Sequence, residues 1–432
     1  MILAAVLLIF FVCLFIGVPV VFSIVLASGI PILFDARVSI GQMSSVILQQ
    51  MRSFPLVAIP LYILCGRLLK VGGITDDLVF VSRVLIGRLQ GALAHVNVVT
   101  SIFFAGISGS SVADVATIGP VLIPAMKKQG YSAEFSATLT AASSTIGTII
   151  PPSILMIIYG AIAQTSIAAL FLAGIIPGVL VGLVQMVYSY FYAVRHGIST
   201  ASGDEGIQQV TRAMVGQALL KSLFPVSIFF LIIVGITVGV FTPTEAAAVA
   251  VAYIAFVLVF IYGRRDFPAY MAECRRAVVD SAVIYLLIAS ASFLAWVLTY
   301  YRVMLPIVAA IEASNLGANG FLLLLTFIYV ILGTFMEPAS AMLIVVPLLA
   351  PVVQLLQLNP TVVGIVTVMA IRVGTITPPY GLSALMAAKI AQTSIMSMMK
   401  YILLFLGFYL VVIVLLVYFQ DLILFLPERL LN

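Results

Sequence analysis

The feature that most constrains this chain is its succession of apolar runs that never alternate. Leu3 to Ile16, Phe54 to Leu69, Ile175 to Val194, Val278 to Tyr301 and Tyr401 to Phe419 are each continuous apolar stretches. A hydrocarbon core about 30 Å thick takes about 20 residues of helix. Backbone inside a bilayer must satisfy its own N–H and C=O groups, so only helices and closed barrels cross it. Barrel strands alternate apolar and polar residues, and these runs do not, so the crossings are helices. Of the 432 residues, 63% are hydrophobic and 8% charged, against about 45–50% and about 25% in soluble domains. Surface falls too slowly with size for a globule to hide that excess. A soluble enzyme, a nucleic-acid binder and a disordered chain are excluded, and the length allows roughly ten to twelve crossings.

The formal charge of +5 is read as topology rather than as affinity for an acidic partner, because basic residues collect in loops that stay in the cytoplasm. Cys13, Cys65 and Cys274 show no metal or redox spacing. Met1 to Val12 has no basic start and no small-residue cleavage site, so no removed signal peptide is expected. No G-x-x-x-x-G-K-[ST] loop occurs, so the chain has no P-loop for ATP.

Four runs are broken in the middle. Ala92 to Met126 is interrupted at Gly106-Ile107-Ser108-Gly109-Ser110-Ser111, and Ala133 to Leu172 at Gly147-Thr148-Ile149-Ile150-Pro151-Pro152. Phe321 to Val353 is interrupted at Gly333-Thr334-Phe335-Met336-Glu337-Pro338, and Val362 to Ile390 at Gly374-Thr375-Ile376-Thr377-Pro378-Pro379. The breaks repeat. Gly106 and Gly333 stand 227 positions apart (333 − 106), and the same offset carries Pro120 to Pro347, Gly147-Thr148 to Gly374-Thr375 and Pro151-Pro152 to Pro378-Pro379. The pentapeptide Ile162-Ala163-Gln164-Thr165-Ser166 returns at Ile390 one residue later.

The expected fold is therefore an all-α polytopic membrane protein. It is an inverted repeat of five transmembrane helices plus one re-entrant hairpin per half. Residues 1–196 form the first repeat, with its hairpin at about 92–126 and its broken helix at about 133–172. A cytoplasmic connector covers 197–221. Residues 222–432 form the second repeat, with hairpin 321–353 and broken helix 362–390. The stretches Asp35 to Arg52 and Arg264 to Arg276 are expected to lie at the membrane interface, and Arg67 is assigned to a basic loop. An odd number of crossings inverts the second half. Both termini then fall in the periplasm and the basic loops in the cytoplasm. Paired Gly/Pro-broken segments in inverted halves point to a secondary transporter and to its binding site.

Backbone that stops mid-membrane survives where it lines a cavity or is buried in protein. Its carbonyls suit a hard cation such as Na⁺, and its half-helix N-termini suit an anion. One cation site is expected from Ser108, Gly109, Ser111, Thr145, Gly147 and Thr148. The other is expected from Gly333, Thr334, Met336, Glu337, Gly374, Thr375 and Thr377. Pro151, Pro152, Pro378 and Pro379 make the breaks. The organic substrate is expected between the two tips, with Ser340 beside it. Ser111 to Asp114 has capping-box spacing, as has Thr242 to Glu245, and Glu337 falls at or near a helix cap. Arg302 and Arg372 are the charges deepest in apolar sequence, functional suspects by default. Arg302 has the alternative of snorkelling to the headgroups, and Arg372 that of pairing with Glu337. His95 and His196 near segment ends are read as packing residues.

The stretches Phe104-Ala105-Gly106-Ile107-Ser108-Gly109-Ser110-Ser111-Val112-Ala113-Asp114, Gly147-Thr148-Ile149-Ile150-Pro151-Pro152-Ser153 and Phe241-Thr242-Pro243-Thr244-Glu245-Ala246 resemble the large membrane subunit of the tripartite ATP-independent periplasmic (TRAP) transporters. The resemblance covers nearly the whole chain. It implies an elevator transporter driven by Na⁺, with a moving transport domain against a scaffold, in a bacterial inner membrane. It implies a small membrane subunit of four helices, expected as a separate chain because this one begins at the large subunit's first helix. It also implies a periplasmic binding protein that delivers the substrate. Family substrates are carboxylate-bearing organic anions such as C4-dicarboxylates or sialic acid. Ser108 and Ser110 match serines that face the substrate, and Arg302 matches the region of an arginine that meets its carboxylate.

Two rivals belong to other classes. An ion channel would show unitary currents without a binding protein. An intramembrane serine protease is suggested by Gly106-Ile107-Ser108-Gly109. Its nucleophile needs a base in reach, and His95 lies about 20 Å of helix away.

Overall fold

The computed structural model describes residues 2–431 except 34, 36, 39, 73, 87–88, 199–211 and 380, and every regular element among them is a helix. In the first half α1 (Ile2–Phe15) turns at Gly17 into α2 (Val20–Leu33), followed by α3 (Ile40–Met51), α4 (Ala58–Val71) and α5 (Ile74–Ile86). Then come the helical hairpin α6 (Ala92–Ser108) and α7 (Ser111–Lys128), the broken pair α8 (Ala133–Ile146) and α9 (Ile154–Ala163), and α10 (Ile167–Arg195). The second half runs through α11 (Arg212–Thr237), α12 (Pro243–Phe256), α13 (Phe267–Tyr300) and α14 (Met304–Ala313). It repeats the hairpin as α15 (Ala318–Phe335) and α16 (Pro338–Leu355), and the broken pair as α17 (Pro360–Gly374) and α18 (Leu382–Ala391). It closes with α19 (Ile395–Tyr418) and a short α20 (Asp421–Leu430). Among the described residues seven segments reach membrane-crossing size by length and apolarity, α10, α13 and α19 among them.

The repeat is visible helix by helix. The second arms of the two hairpins, α7 and α16, start and end at the same offset (338 − 111 and 355 − 128, both 227). The returning pentapeptide is a turn between helices. Gln164 and Gln392 each take left-handed φ, 52° and 57°, and close a helix. Ser166 and Ser394 open the next by accepting from the backbone N–H groups of Ala169 and Ser397. A serine cap two residues after a left-handed residue stops one helix and starts another. This corrects the broken helix of residues 133–172, which ends at Ala163.

Two further expectations change. The segment Arg264 to Arg276 is not a separate interfacial helix, because Phe267 to Tyr300 is one helix of 34 residues, ~50 Å at 1.5 Å per residue. Its counterpart in the first half is split into α3 and α4 by Ser53-Phe54-Pro55. Pro55 has no N–H for the ladder and restricts the residue before it, whereas its repeat mate Ala282 (55 + 227) continues the helix. The connector 197–221 also shortens, since α11 begins at Arg212, and residues 199–211 lie outside the described set.

The repeat mates α8 and α17 form the centre. Every residue from Phe135 to Ile146 is buried, and every residue from Thr361 to Gly374. α8 is rich in Ser and Thr, and tolerates this because its hydroxyls bond within the protein. Thr138 donates to the Glu134 carbonyl at 2.7 Å and Ser144 to that of Ala141 at 2.8 Å. Asn97 and Ser101 tie α6 to Thr140 (2.7 Å) and Ser143 (2.9 Å) of α8.

Candidate functional site

The first hairpin turns in two residues. Gly109 takes φ 58°, which an L side chain rarely adopts, and Ser110 is extended. Ser110, not Ser111, is the N-cap, accepting from the Ala113 N–H. The expected capping box therefore shifts by one, and Asp114 is buried within the first turn instead of completing it. Ser111, relieved of capping, accepts from Arg372 Nη1 at 3.2 Å and from the Ser383 hydroxyl at 3.1 Å. The tip also rests on the first break, where a Cβ on Gly109 would lie 3.5 Å from the Pro152 carbonyl oxygen.

At that break, main-chain carbonyls already hold several of the expected ligand groups. Thr148 Oγ1 donates to the Thr145 carbonyl at 2.8 Å, and Ser153 donates to the Thr148 carbonyl at 2.6 Å while capping α9. Thr145 donates to the Ala142 carbonyl at 2.6 Å and bonds the Tyr409 hydroxyl. Gly147 closes α8 in ordinary helical geometry.

The second tip is built differently. Met336 is extended and Glu337 is the N-cap, its carboxylate accepting from the Ser340 N–H at 3.0 Å and the Ser340 hydroxyl at 3.3 Å. Pro338 occupies the first helical position, where its missing N–H costs nothing. α15 and α17 touch backbone to backbone. A Cβ on Gly333 would lie 2.5 Å from the Ile371 carbonyl oxygen, and one on Gly374 2.5 Å from Gly333 Cα. Thr334 donates to the Ile331 carbonyl at 2.7 Å, Thr375 to that of Arg372 at 2.7 Å and Thr377 to that of Val373 at 3.0 Å. The peptide bonds Pro151–Pro152 and Pro378–Pro379 are both cis.

Between the tips lies a cavity of about 620 Å³. Its walls include Gly109 to Val112 from the first tip, Glu337 to Ser340 from the second, Arg372 and Thr375 from the second break, and Asp280 to Leu287 from α13. Ser110, Ser111, Ser340, Glu337 and Thr375 thus line one space between the two tips. The side chain of Ser108 lies outside the described residues.

Arg372 dominates the chemistry. It is 8% exposed, and Nη1 bonds Ser111 while Nε has no hydrogen-bond partner among the described residues. A buried donor without an acceptor is costly, and a guanidinium is a planar fork suited to a carboxylate. The charges acting on it are Glu337 and Asp114. Glu337 does so while its carboxylate is held at the helix cap.

Arg302 is corrected. It sits exposed on the turn between α13 and α14 with φ 52°, and it does not line the cavity. Arg67 also moves, from a loop to the interior of α4, where it bonds Glu273 at 2.8 Å and Asp280 at 3.1 Å on α13. Asp280 was overlooked in sequence although it stands inside an apolar run, which is the signal that finds such residues. The Thr242–Glu245 capping box is present in full. His95 faces the Gln90 carbonyl at 3.2 Å, and His196 stacks on Tyr192.

Comparison with known proteins agrees with this architecture. The sialic acid TRAP transporter permease protein SiaT of Haemophilus influenzae is 32% identical over 424 residues, 98% of this chain and 68% of its own length. The C4-dicarboxylate TRAP transporter large permease protein DctM of Pseudomonas aeruginosa is 32% identical over 90% of both chains. The solved structure of the Alcanivorax borkumensis YdaH transporter superimposes with a TM-score of 0.62 over 90% of both chains at 17% identity, a likeness of fold alone. The family model of the DctM component of tripartite ATP-independent periplasmic transporters matches residues 7–422, and the chain belongs to that family of multi-pass transporter permeases, which are not enzymes.

Proposed function

We propose that this chain carries out Na⁺-coupled uptake of a carboxylate-bearing organic anion across a bacterial inner membrane, with both termini in the periplasm. The observation that carries the reading is Arg372, a buried guanidinium with an unmatched Nε donor at the wall of a cavity between two hairpin tips. The carboxylate bonds there, with Ser110 and Ser340 at the tips completing its shell. Na⁺ sits at the two tip–break junctions, held by backbone carbonyls and by hydroxyls that turn from their present main-chain acceptors. Among the described residues no three His, Cys, Asp or Glu side chains form a group that would hold a metal ion, which suits a hard cation bound by neutral oxygens.

An elevator movement is supported by the packing. α7, α8 and α18 pack on one another, as do α15 and α17, while α4 packs on α12 and α13, with α2 and α3 also on α13; the two sets meet where α13 lies on α16 and α4 on α6. The first set is the transport domain and the second the scaffold. A small four-helix membrane subunit and a periplasmic binding protein complete the assembly, the latter delivering the carboxylate-bearing acid. The test is uptake by proteoliposomes carrying the three components. Substrate accumulates with Na⁺ outside and stops when K⁺ replaces it. Equal uptake in K⁺ refutes the coupling.

A further inference from the structure

The ionisable side chains that line the cavity bear on what it admits. Three ionisable side chains line it, Arg372, Glu337 and Asp280. The one cation already feels two carboxylates, Glu337 and Asp114. Asp280 belongs to a different wall, on α13, and its side chain is 46% exposed. It is held from behind by Arg67, and both contacts with that guanidinium, from Nε and from Nη2, go to the same oxygen, Oδ2. Arg67 itself is anchored by Glu273 and does not line the cavity. Arg67 makes no bond to Oδ1, so this cavity-lining residue keeps one carboxylate oxygen that can accept.

An acid whose carboxylate meets Arg372 presents its other end to this surface. A second carboxylate there meets the oxygen of Asp280 that Arg67 does not bond, and like charges in a partly desolvated space repel. A donor at that end meets an acceptor. Resting on the reading of Arg372 as the carboxylate partner, we infer that the transported acid is a monoanion bearing a hydroxyl or ammonium donor remote from its carboxylate, that Asp280 accepts from this donor, and that dicarboxylates are rejected. The proposed Na⁺ sites do not reverse this, because they lie at the tip–break junctions and not on α13. Asp280 is then a specificity residue set by the scaffold, while Arg372 belongs to the transport domain.

The test begins with the acid carried by the partner binding protein, released from the purified protein and identified by mass spectrometry. One carboxylate with a hydroxyl or amino group is expected, and a dicarboxylate overturns the inference. Uptake of that acid is then measured in proteoliposomes of the complete complex. Asp280→Ala is expected to raise KM about 10- to 100-fold, the range for losing a hydrogen bond to a charged group, with kcat and the half-saturating Na⁺ concentration little changed. Glu273→Gln removes the other anchor of Arg67 without touching the cavity, so it separates a structural role from a binding one. Equal KM effects of the two variants, or an unchanged KM for Asp280→Ala, overturn the role of Asp280. Uptake that ignores Na⁺ refutes the proposed function instead, whatever the acid.

Discussion

Replacing Gly374 by alanine tests a close backbone-to-backbone approach. The added methyl would lie 2.5 Å from Gly333 Cα and 2.8 Å from the Thr334 backbone nitrogen. Contacts under 3.0 Å are not sustained by real Cβ atoms, and neither neighbour is a side chain that can rotate away. α15 and α17 must therefore separate by several tenths of an ångström at a crossing where both glycines are buried. Overpacking a core costs about 1–3 kcal/mol, and a backbone-on-backbone clash belongs at the upper end, near 3 kcal/mol. The control is Gly407→Ala in α19, where a Cβ meets nothing within 4 Å and alanine is the better helix former by about 1 kcal/mol. Thermal unfolding of the purified protein should rank the native chain and Gly407→Ala together and Gly374→Ala well below. Because the crossing also shapes the second tip–break junction, the half-saturating Na⁺ concentration should rise about 100-fold if 3 kcal/mol of strain opposes the bound state. A Gly374→Ala protein as stable as Gly407→Ala, with unchanged Na⁺ dependence, would show that the helices are not in contact there.

Three other outcomes are expected. Arg372→Lys should nearly abolish uptake while the protein still assembles, because an ammonium does not reproduce the planar fork; Arg302→Lys on its exposed turn should transport near normally. Thr242→Ala removes a complete capping box and should cost about 1 kcal/mol of stability, read as a lower unfolding temperature at unchanged KM. In a chain with Cys13 and Cys65 replaced, an impermeant thiol reagent should leave Cys274 unlabelled in intact cells and label it in inverted vesicles, and labelling from outside would refute the topology.

What was legible in the sequence was whatever the backbone demands. Glycines and prolines at the tips and breaks recur because bent or touching backbone tolerates little else, as Gly333 against Gly374 shows. Their spacing located both hairpins and both broken helices. Element ends were less legible where one residue decides them. The broken helix stops at Ala163 on a left-handed Gln164, a residue type with no strong signal for that conformation. Side-chain partnerships were least legible. Arg302 and Arg372 look alike as lone charges in apolar sequence, and only the fold puts one on an exposed turn and the other in the cavity wall. Asp280 meets Arg67 across 213 positions, a distance that no local pattern spans.

The two halves share their breaks but not their charges, and this separates two kinds of site. At the offset of 227, Arg372 corresponds to Thr145, Glu337 to Ser110, Asp114 to Ala341 and Ser340 to Ala113. The glycine and proline frame is conserved between repeats, while every ionisable group beside the cavity occurs once. Sites made mainly of main-chain carbonyls come with the frame, so the proposed cation sites occur as a pair. A site that needs one guanidinium cannot be duplicated by the same symmetry, since Thr145 spends its hydroxyl on Tyr409 and the Ala142 carbonyl. The proposed arrangement is thus two symmetric junctions around a single asymmetric anion site, joined by Ser111. That residue begins the second arm of the first hairpin and bonds Arg372 and Ser383 of the second half. On the proposed function, occupation of the first junction is expected to reposition Ser111 and with it the guanidinium. Cation binding at one repeat and anion binding at the other would then be linked through the 3.2 Å hydrogen bond from Arg372 to Ser111, and Ser111→Ala should loosen that coupling more than it weakens either site.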